Sequence, residues 1–443
     1  MNKTNLSGLV PILLIGGLFF MFGFITWLNG SLIPFLQIAC ELNQVQAYLV
    51  TLAFYITYAL TALPMSAILF RTGYKNGLIL GLFIMAVGSL IFIPAALWRT
   101  YSIFLAALFV LGTGLTILQT AVNPYVVMIG PRETAAVRIS IMGVLNKGAG
   151  VIAPLVFTAF VFSDVAQFDE ARLALLEPAQ RGLELEALSA RLIKPYLMLA
   201  GLLLALAAYV WLSPLPEPAD EEQEKTDAGD GKSGILHQPQ LVLGAVTLFF
   251  YVGAEVIAGD TIGLFGKETG VRNFSELTSY TMGFMVIGYV LGILAIPRWL
   301  SQQKALTVSA TLGICLVLLL VNASAESSVI WNTLFGHTGV SPIPDVVLYV
   351  ALFGLSNAMV WPVIWPLALS GLNRKQIHTG SALLIMAIGG GAVLPLIYGA
   401  MAEYLQDLQS AYWVMLPCYL LILLYAVKGH KLKQWRDTGA AKN

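Results

Sequence analysis

The sequence predicts an all-α membrane protein, with twelve transmembrane helices in two pseudo-symmetric six-helix bundles. Three observations carry that prediction. Hydrophobic residues make up 58% of the 443 and charged residues 11%, with mean hydropathy +0.80, whereas soluble domains carry about 25% charge. Twelve apolar runs are long enough to cross ~30 Å of hydrocarbon, which takes about 20 helical residues. Two stretches of the first half recur in the second.

In chain order the runs fall near 9–38, 45–70, 77–97, 101–129, 137–162, 193–213, 240–266, 277–299, 304–322, 345–371, 378–400 and 409–429. The first is too long for a signal-peptide core and has no small-residue cleavage site after it, so it reads as a retained span. All twelve are continuous rather than alternating, which selects helices over a barrel. Between the fifth and sixth runs, residues 163–194 mix acids and bases with Leu and Ala at helical spacing, predicting an amphipathic helix along the outer surface. The Pro-, Gly- and acid-rich stretch 213–234 reads as a flexible linker. The resulting division is an N-terminal bundle over 1–212, a cytoplasmic linker over 213–239, a C-terminal bundle over 240–430 and a cytoplasmic tail over 431–443. With the N-terminus in the cytoplasm, sixteen Lys and Arg residues lie inside and seven outside, which favours both termini inside.

The repeat aligns "FFMFGFITWLNGSLI" (19–33) with "FFYVGAEVIAGDTIG" (249–263) at an offset of 230 residues, setting Glu255 on Ile25 and Asp260 on Gly30. A second match joins 123–154 to 361–395, each with an early Pro, a basic turn and a returning helix ending Gly-x-x-x-Pro. Six-span repeats are a common transporter plan, with the substrate site near midplane between the halves.

Three ionisable residues fall well inside the runs: Lys147 in the fifth, Glu255 and Asp260 in the seventh. Each costs on the order of 2.5–3.5 kcal/mol at midplane, so each is expected to face a cavity or a partner. Their formal sum is minus one, so one further cation balances the site. A proton suits, because desolvation and a neighbouring carboxylate both disfavour the charged carboxyl. Na⁺ on Asp260 suits equally, held by carboxylate and loosened backbone carbonyls. On an ideal helix Glu255 and Asp260 stand about 140° apart, so they converge only if the helix is distorted near Gly259. The alternative is a fixed Glu255–Lys147 strut with Asp260 near an outer end.

Uncharged groups mark a path: Trp27, Asn29 and Ser31 in run one, Gln119 and Asn123 in run four, Asn146 in run five, Asn357, Trp361 and Trp365 in run ten. An amide offers a donor and an acceptor to paired sugar hydroxyls, and an indole face packs on the C–H face of a pyranose. Gln119, Asn123, Asn146 and Asn357, with Asn29, are therefore candidates for binding hydroxyls, Trp27 and Trp361 for contacting the ring, and Glu255 for accepting hydroxyls as well as sharing cation coupling with Asp260. Other classes find little support. The three cysteines have neither disulfide nor metal spacing, no basic patch points to nucleic acid, and no nucleophile–base pair or metal cluster points to an enzyme.

"FGFITWLNGSLIPF", "LQTAVNPYVVMIGP", "GVLNKGAGVIAP", "FFYVGAEVIAGDTIG" and "GGGAVLPLIYG" resemble the fucose, galactose and glucose symporter family of the major facilitator superfamily, its glucose/galactose branch above all. The resemblance implies the major facilitator fold, cation-coupled uptake of a neutral hexose with Na⁺ or H⁺, no cofactor, and a monomer in the bilayer of the bacterial inner membrane. Fucose permease has an Asp where Gly30 stands and a Glu where Gln119 stands, so its proton route does not transfer. "SAILFRTGYK" keeps Arg71 and Gly73 of the superfamily's loop motif but has Phe70 where an Asp is usual. A major facilitator exporter of drugs or metabolites is the alternative, and the amide-rich path argues against it.

Overall fold

The computed structural model describes residues 3–128, 135–162, 172, 175–213, 235–296, 298–339, 341–372 and 374–435. Twelve helices among them are long and apolar enough to cross a membrane. In order, spans 1 to 6 are Leu14–Ala39, Gln44–Leu69, Tyr74–Leu97, Tyr101–Val122, Ile139–Val161 and Pro178–Leu212, and spans 7 to 12 are Pro239–Glu268, Phe274–Ala295, Gln302–Asn322, Asp345–Ala368, Thr379–Leu405 and Leu408–Lys431. The predicted runs and the observed spans coincide within a few residues, except that span 6 begins much earlier. Its first segment is a separate amphipathic helix, Pro178–Ala190, joined at Arg191 and Leu192 to Ile193–Leu212. The predicted surface helix is thus observed over its second half, and residues 163–171, 173 and 174 lie outside the described residues, as do 214–234 of the linker and 436–443 of the tail.

Local chemistry sets the turns. Asn43 caps span 2 by accepting from the Gln46 backbone N–H at 2.7 Å, and its own N–H donates to Gln46 Oε1 at 3.0 Å. Such a reciprocal box satisfies two donors that a helix start leaves open. Gly73, at φ +80°, turns the chain from span 2 into span 3 in a conformation that a side chain would resist.

Within the first half span 3 packs on spans 4 and 6, and span 1 on span 5; within the second, span 10 packs on spans 8 and 9, and span 7 on spans 11 and 12. The halves meet where span 2 lies on span 11 and span 5 on span 8. Glycines permit the first contact, since a Cβ on Gly389 would stand 3.0 Å from Ala59 Cβ and one on Gly391 3.0 Å from the Tyr55 ring. Facing outward are Phe83, Leu90, Leu197, Leu202, Leu291, Leu294, Leu319 and Leu424, all exposed. An apolar exterior with a partly polar interior is what a bilayer demands.

Among the described residues, spans 1, 7 and 10 are interrupted in mid-course, and a 3-10 turn at Ala387–Gly389 interrupts span 11. Span 1 breaks at Leu28, between helices Lys3–Trp27 and Asn29–Ala39; span 10 breaks at Met359. Span 7 runs as α-helix to Val256, loosens into a π-helical turn over Ile257–Thr261, and resumes as α-helix from Ile262 to Glu268. The break in span 1 and the π-turn in span 7 fall on matching positions of the repeat. The glycines match too: Gly23 meets the Asn146 backbone of span 5, and its mate Gly253 meets Leu394 of span 11.

Candidate functional site

The interrupted middles of spans 1 and 7 touch each other. A Cβ on Gly30 would lie 2.8 Å from the Gly259 carbonyl oxygen and would collide with Thr278 Oγ1. The position where the resemblance places an aspartate in fucose permease therefore has no room for one here. The backbone and Thr278 of the opposite half fill it.

Trp27, the last residue before the break in span 1, is 2% exposed. Its ring is wedged between Gly150 of span 5 and Gly259 of span 7, where added Cβ atoms would stand 2.7 Å and 2.5 Å away. Lys147 Nζ lies 4.4 Å from the ring centroid, a desolvated cation–π contact of about 2 kcal/mol. With its faces occupied, Trp27 has only its Nε1–H to offer a ligand, and that donor is buried without a partner among the described residues, as is Asn29 Nδ2.

Lys147 also reaches Glu255 Oε1 at 2.5 Å. Both residues are buried, so the pair is a desolvated ion pair joining span 5 of one half to span 7 of the other. This is the strut foreseen as an alternative. Its second part is not observed, because Asp260 is 0% exposed and sits within the π-turn. Neither carboxylate oxygen of Asp260 has a hydrogen-bond partner among the described residues. Asp260 is nonetheless close enough to Glu255 and Lys147 to feel both charges.

The π-turn is the distortion that convergence of the two acids requires, and it includes Gly259. A π-turn leaves carbonyls without their usual i+4 partners. Three hydroxyls meet them: Thr278 and Thr281 of span 8 donate to the Gly259 and Ala258 oxygens at 2.7 Å and 3.1 Å, and Thr261 donates to the Ile257 oxygen at 2.7 Å.

Two amides hang on tyrosines nearby. Gln119 Nε2 donates to Tyr58 Oη at 2.8 Å, and the Tyr58 ring stacks on that of Tyr55 at 6.3 Å. Tyr419 Oη donates to Asn357 Oδ1 at 3.0 Å and lies within electrostatic reach of Glu255. Asn146 donates through Nδ2 to the Phe19 carbonyl at 3.3 Å. Ser31 donates to the Ser275 carbonyl at 2.6 Å, a tie between halves beyond the site. Trp361 and Trp365 form a tilted pair with centroids 5.4 Å apart, both half-buried. The side chain of Asn123 lies outside the described residues.

Sequence reasoning missed the tyrosines. Tyr48, Tyr55 and Tyr251 are buried; the hydroxyls of Tyr48 and Tyr55 have no partner among the described residues and lie within electrostatic reach of Asp260, while Tyr251 lies beside Glu255. Their one available signal was the seven-residue spacing of Tyr48 and Tyr55, two turns apart on one face of span 2. Tyrosine in a span otherwise reads as an ordinary interfacial anchor.

Comparison with known proteins bears on the family and the fold. The family model described as the Major Facilitator Superfamily matches residues 15–395. The chain is 36% identical over 420 residues to a glucose/galactose transporter of Brucella abortus, covering 94% of this chain and 92% of the relative. It is 27% identical over 432 residues to the L-fucose-proton symporter of Escherichia coli, covering 95% and 93%. The crystal structure of a major facilitator transporter in the outward conformation, that same fucose symporter, superposes with a TM-score of 0.71 at 24% identity, covering 95% of this chain and 98% of that one.

Proposed function

The chain belongs to the Major Facilitator Superfamily, and from that premise we propose that it imports a neutral hexose, glucose or galactose, together with a proton carried on Asp260. It is a multi-pass membrane transporter, and its relatives are named as sugar carriers rather than enzymes. The reading rests on one observation: a fully buried carboxylate at the half interface with neither oxygen bonded among the described residues. A bare anion in apolar surroundings is too costly to keep, so the group takes up a cation when the site closes.

The proton is favoured over Na⁺ by what surrounds the π-turn. Na⁺ would draw on the loosened carbonyls, and these already accept from Thr278, Thr281 and Thr261. For the sugar, Gln119 and Asn357 offer amides on either side of the interface, with Asn29, Asn123 and Asn146 completing the polar path. Trp27 would contribute its Nε1–H and Trp361 its half-exposed face. Glu255, held by Lys147, keeps one oxygen for a hydroxyl. The moving bodies are residues 1–212 and 240–430, tethered by 213–239, with 431–443 trailing. A bacterial inner-membrane location follows the family resemblance and cytoplasmic termini follow the Lys and Arg bias, and a single chain suffices because both halves of the site come from it.

The test is reconstitution into proteoliposomes with labelled glucose and galactose. Counterflow is expected for at least one of them, and accumulation under an imposed pH gradient without Na⁺. A well-folded preparation that exchanges neither sugar sinks the transport reading. Accumulation that follows a Na⁺ gradient at constant pH, and not a pH gradient, overturns the proton.

A further inference from the structure

Span 2 carries two tyrosines to which the transport reading gives no task. Their rings pack across the half interface on glycines of span 11, Tyr48 on Gly399 and Tyr55 on Gly391. They are 0% and 3% exposed, and neither hydroxyl has a partner among the described residues. Buried polar groups are nearly always bonded. Two unpartnered hydroxyls from one half and an unpartnered carboxylate from the other are complementary in chemistry.

Of the two tyrosines, Tyr55 is the better placed. A Cβ on Gly391 would meet Tyr55 Cδ1 at 3.0 Å and Val256 Cγ2 at 2.9 Å, so the tyrosine ring and Val256 are neighbours over that glycine. Val256 is the last α-helical residue before the π-turn that holds Asp260. Tyr55 lies within electrostatic reach of both Asp260 and Glu255, and it stacks on Tyr58, whose hydroxyl accepts from Gln119. The other titratable groups within electrostatic reach of Asp260 are Glu255 on its own span, Lys147 on span 5 and Tyr48 on span 2, while Tyr412 at the start of span 12 bonds to the adjoining Thr261 at 2.8 Å. The two charges among them are paired with each other, and Tyr412 is already engaged.

A symporter must return empty after releasing its proton inside. At that stage Asp260 is ionised and passes through a closed interface, where a bare carboxylate is most costly. We propose that Tyr55 is the residue that makes this return possible: its hydroxyl donates across the interface to the ionised Asp260 while the empty halves close. In the loaded carrier the proton itself neutralises Asp260, so the hydroxyl is not needed. Tyr55 is therefore a positioning residue for one half of the cycle, and the inference rests on the transport reading above.

The experiment separates the two halves of the cycle in Tyr55→Phe. Counterflow of labelled sugar uses loaded forms alone, whereas net uptake also needs the empty return. Counterflow is expected to stay within about twofold of the parent protein, which also certifies folding. Net uptake and downhill efflux are expected to fall about tenfold or more, the scale of one lost charge-assisted bond, with the deficit growing as pH rises. In an Asp260→Asn background, Tyr55→Phe is expected to change nothing further, since no carboxylate remains to be bonded. The assignment is overturned if counterflow and net uptake fall together, if neither falls, or if the two substitutions act additively on downhill efflux. Absence of counterflow in the parent protein is a different failure, that of the transport reading itself.

Discussion

Lys147 is the residue on which most of the site's charge depends. It holds Glu255 at 2.5 Å and covers the Trp27 ring at 4.4 Å. Removing one member of a buried ion pair strands the other, at a cost of about 3–5 kcal/mol, while replacing both with apolar groups is far milder. Glu255→Leu is therefore expected to lower the Tm in detergent markedly, and Lys147→Met/Glu255→Leu to recover most of the loss; a double variant as unstable as the single one would show that the pair is not the source of the penalty. Asp260 predicts differently, because it has no partner to strand among the described residues. Asp260→Asn is expected to abolish gradient-driven accumulation while leaving counterflow measurable, and full accumulation by this variant would remove Asp260 from coupling. Adding Gly30→Asp is not expected to rescue it, since that side chain would meet Thr278 and the Gly259 carbonyl.

Among the elements, span 7 shows what sequence can and cannot tell. The two carboxylates were conspicuous because charge in an apolar run is rare, and their five-residue spacing demanded a distortion that the π-turn at Ile257–Thr261 supplies. What the spacing could not show is that threonines of span 8 would meet the loosened carbonyls, because Thr278 and Thr281 look like ordinary helix residues until span 8 is laid against span 7. Thr278→Val should remove a hydrogen bond to the buried Gly259 carbonyl, a cost of about 0.5–1.5 kcal/mol. It is expected to lower the Tm and to raise hydrogen exchange at 257–262; unchanged exchange there would mean that the hydroxyl is not holding the turn. Trp27 carries the same lesson. As a letter in run one it suggested a sugar-stacking face, but its faces are taken by Gly150, Gly259 and Lys147, a fact of packing that no single span contains.

For the molecule as a whole, the cross-half hydrogen bonds among the described residues run from the middle to the end at which spans 1 and 7 finish. Ser31 and Thr158 meet Ser275, Lys267 Nζ donates to Gln37 Oε1 at 3.2 Å, and the Val45 N–H donates to Glu403 Oε2 at 3.3 Å. If alternating access opens that end, a covalent tie across it must stop the cycle. Joining Gln37→Cys to Lys267→Cys with a short crosslinker, in a background with Cys40, Cys315 and Cys418 replaced, is expected to arrest net uptake. Undiminished uptake by fully crosslinked protein would mean that the halves do not part there. The same contact exposes a property of the π-turn. Such a turn amounts to one residue more than an α-helix needs, and each α-helical residue advances the helix by about 100°. Ile262–Glu268 is thus rotated in phase, and it is in this phase that Gly263 lies against the Gly30 carbonyl and Lys267 finds Gln37. Asp260 and the cross-half contacts of Gly263 and Lys267 thus lie on one helix, and the surplus residue of the turn fixes the phase of one against the other.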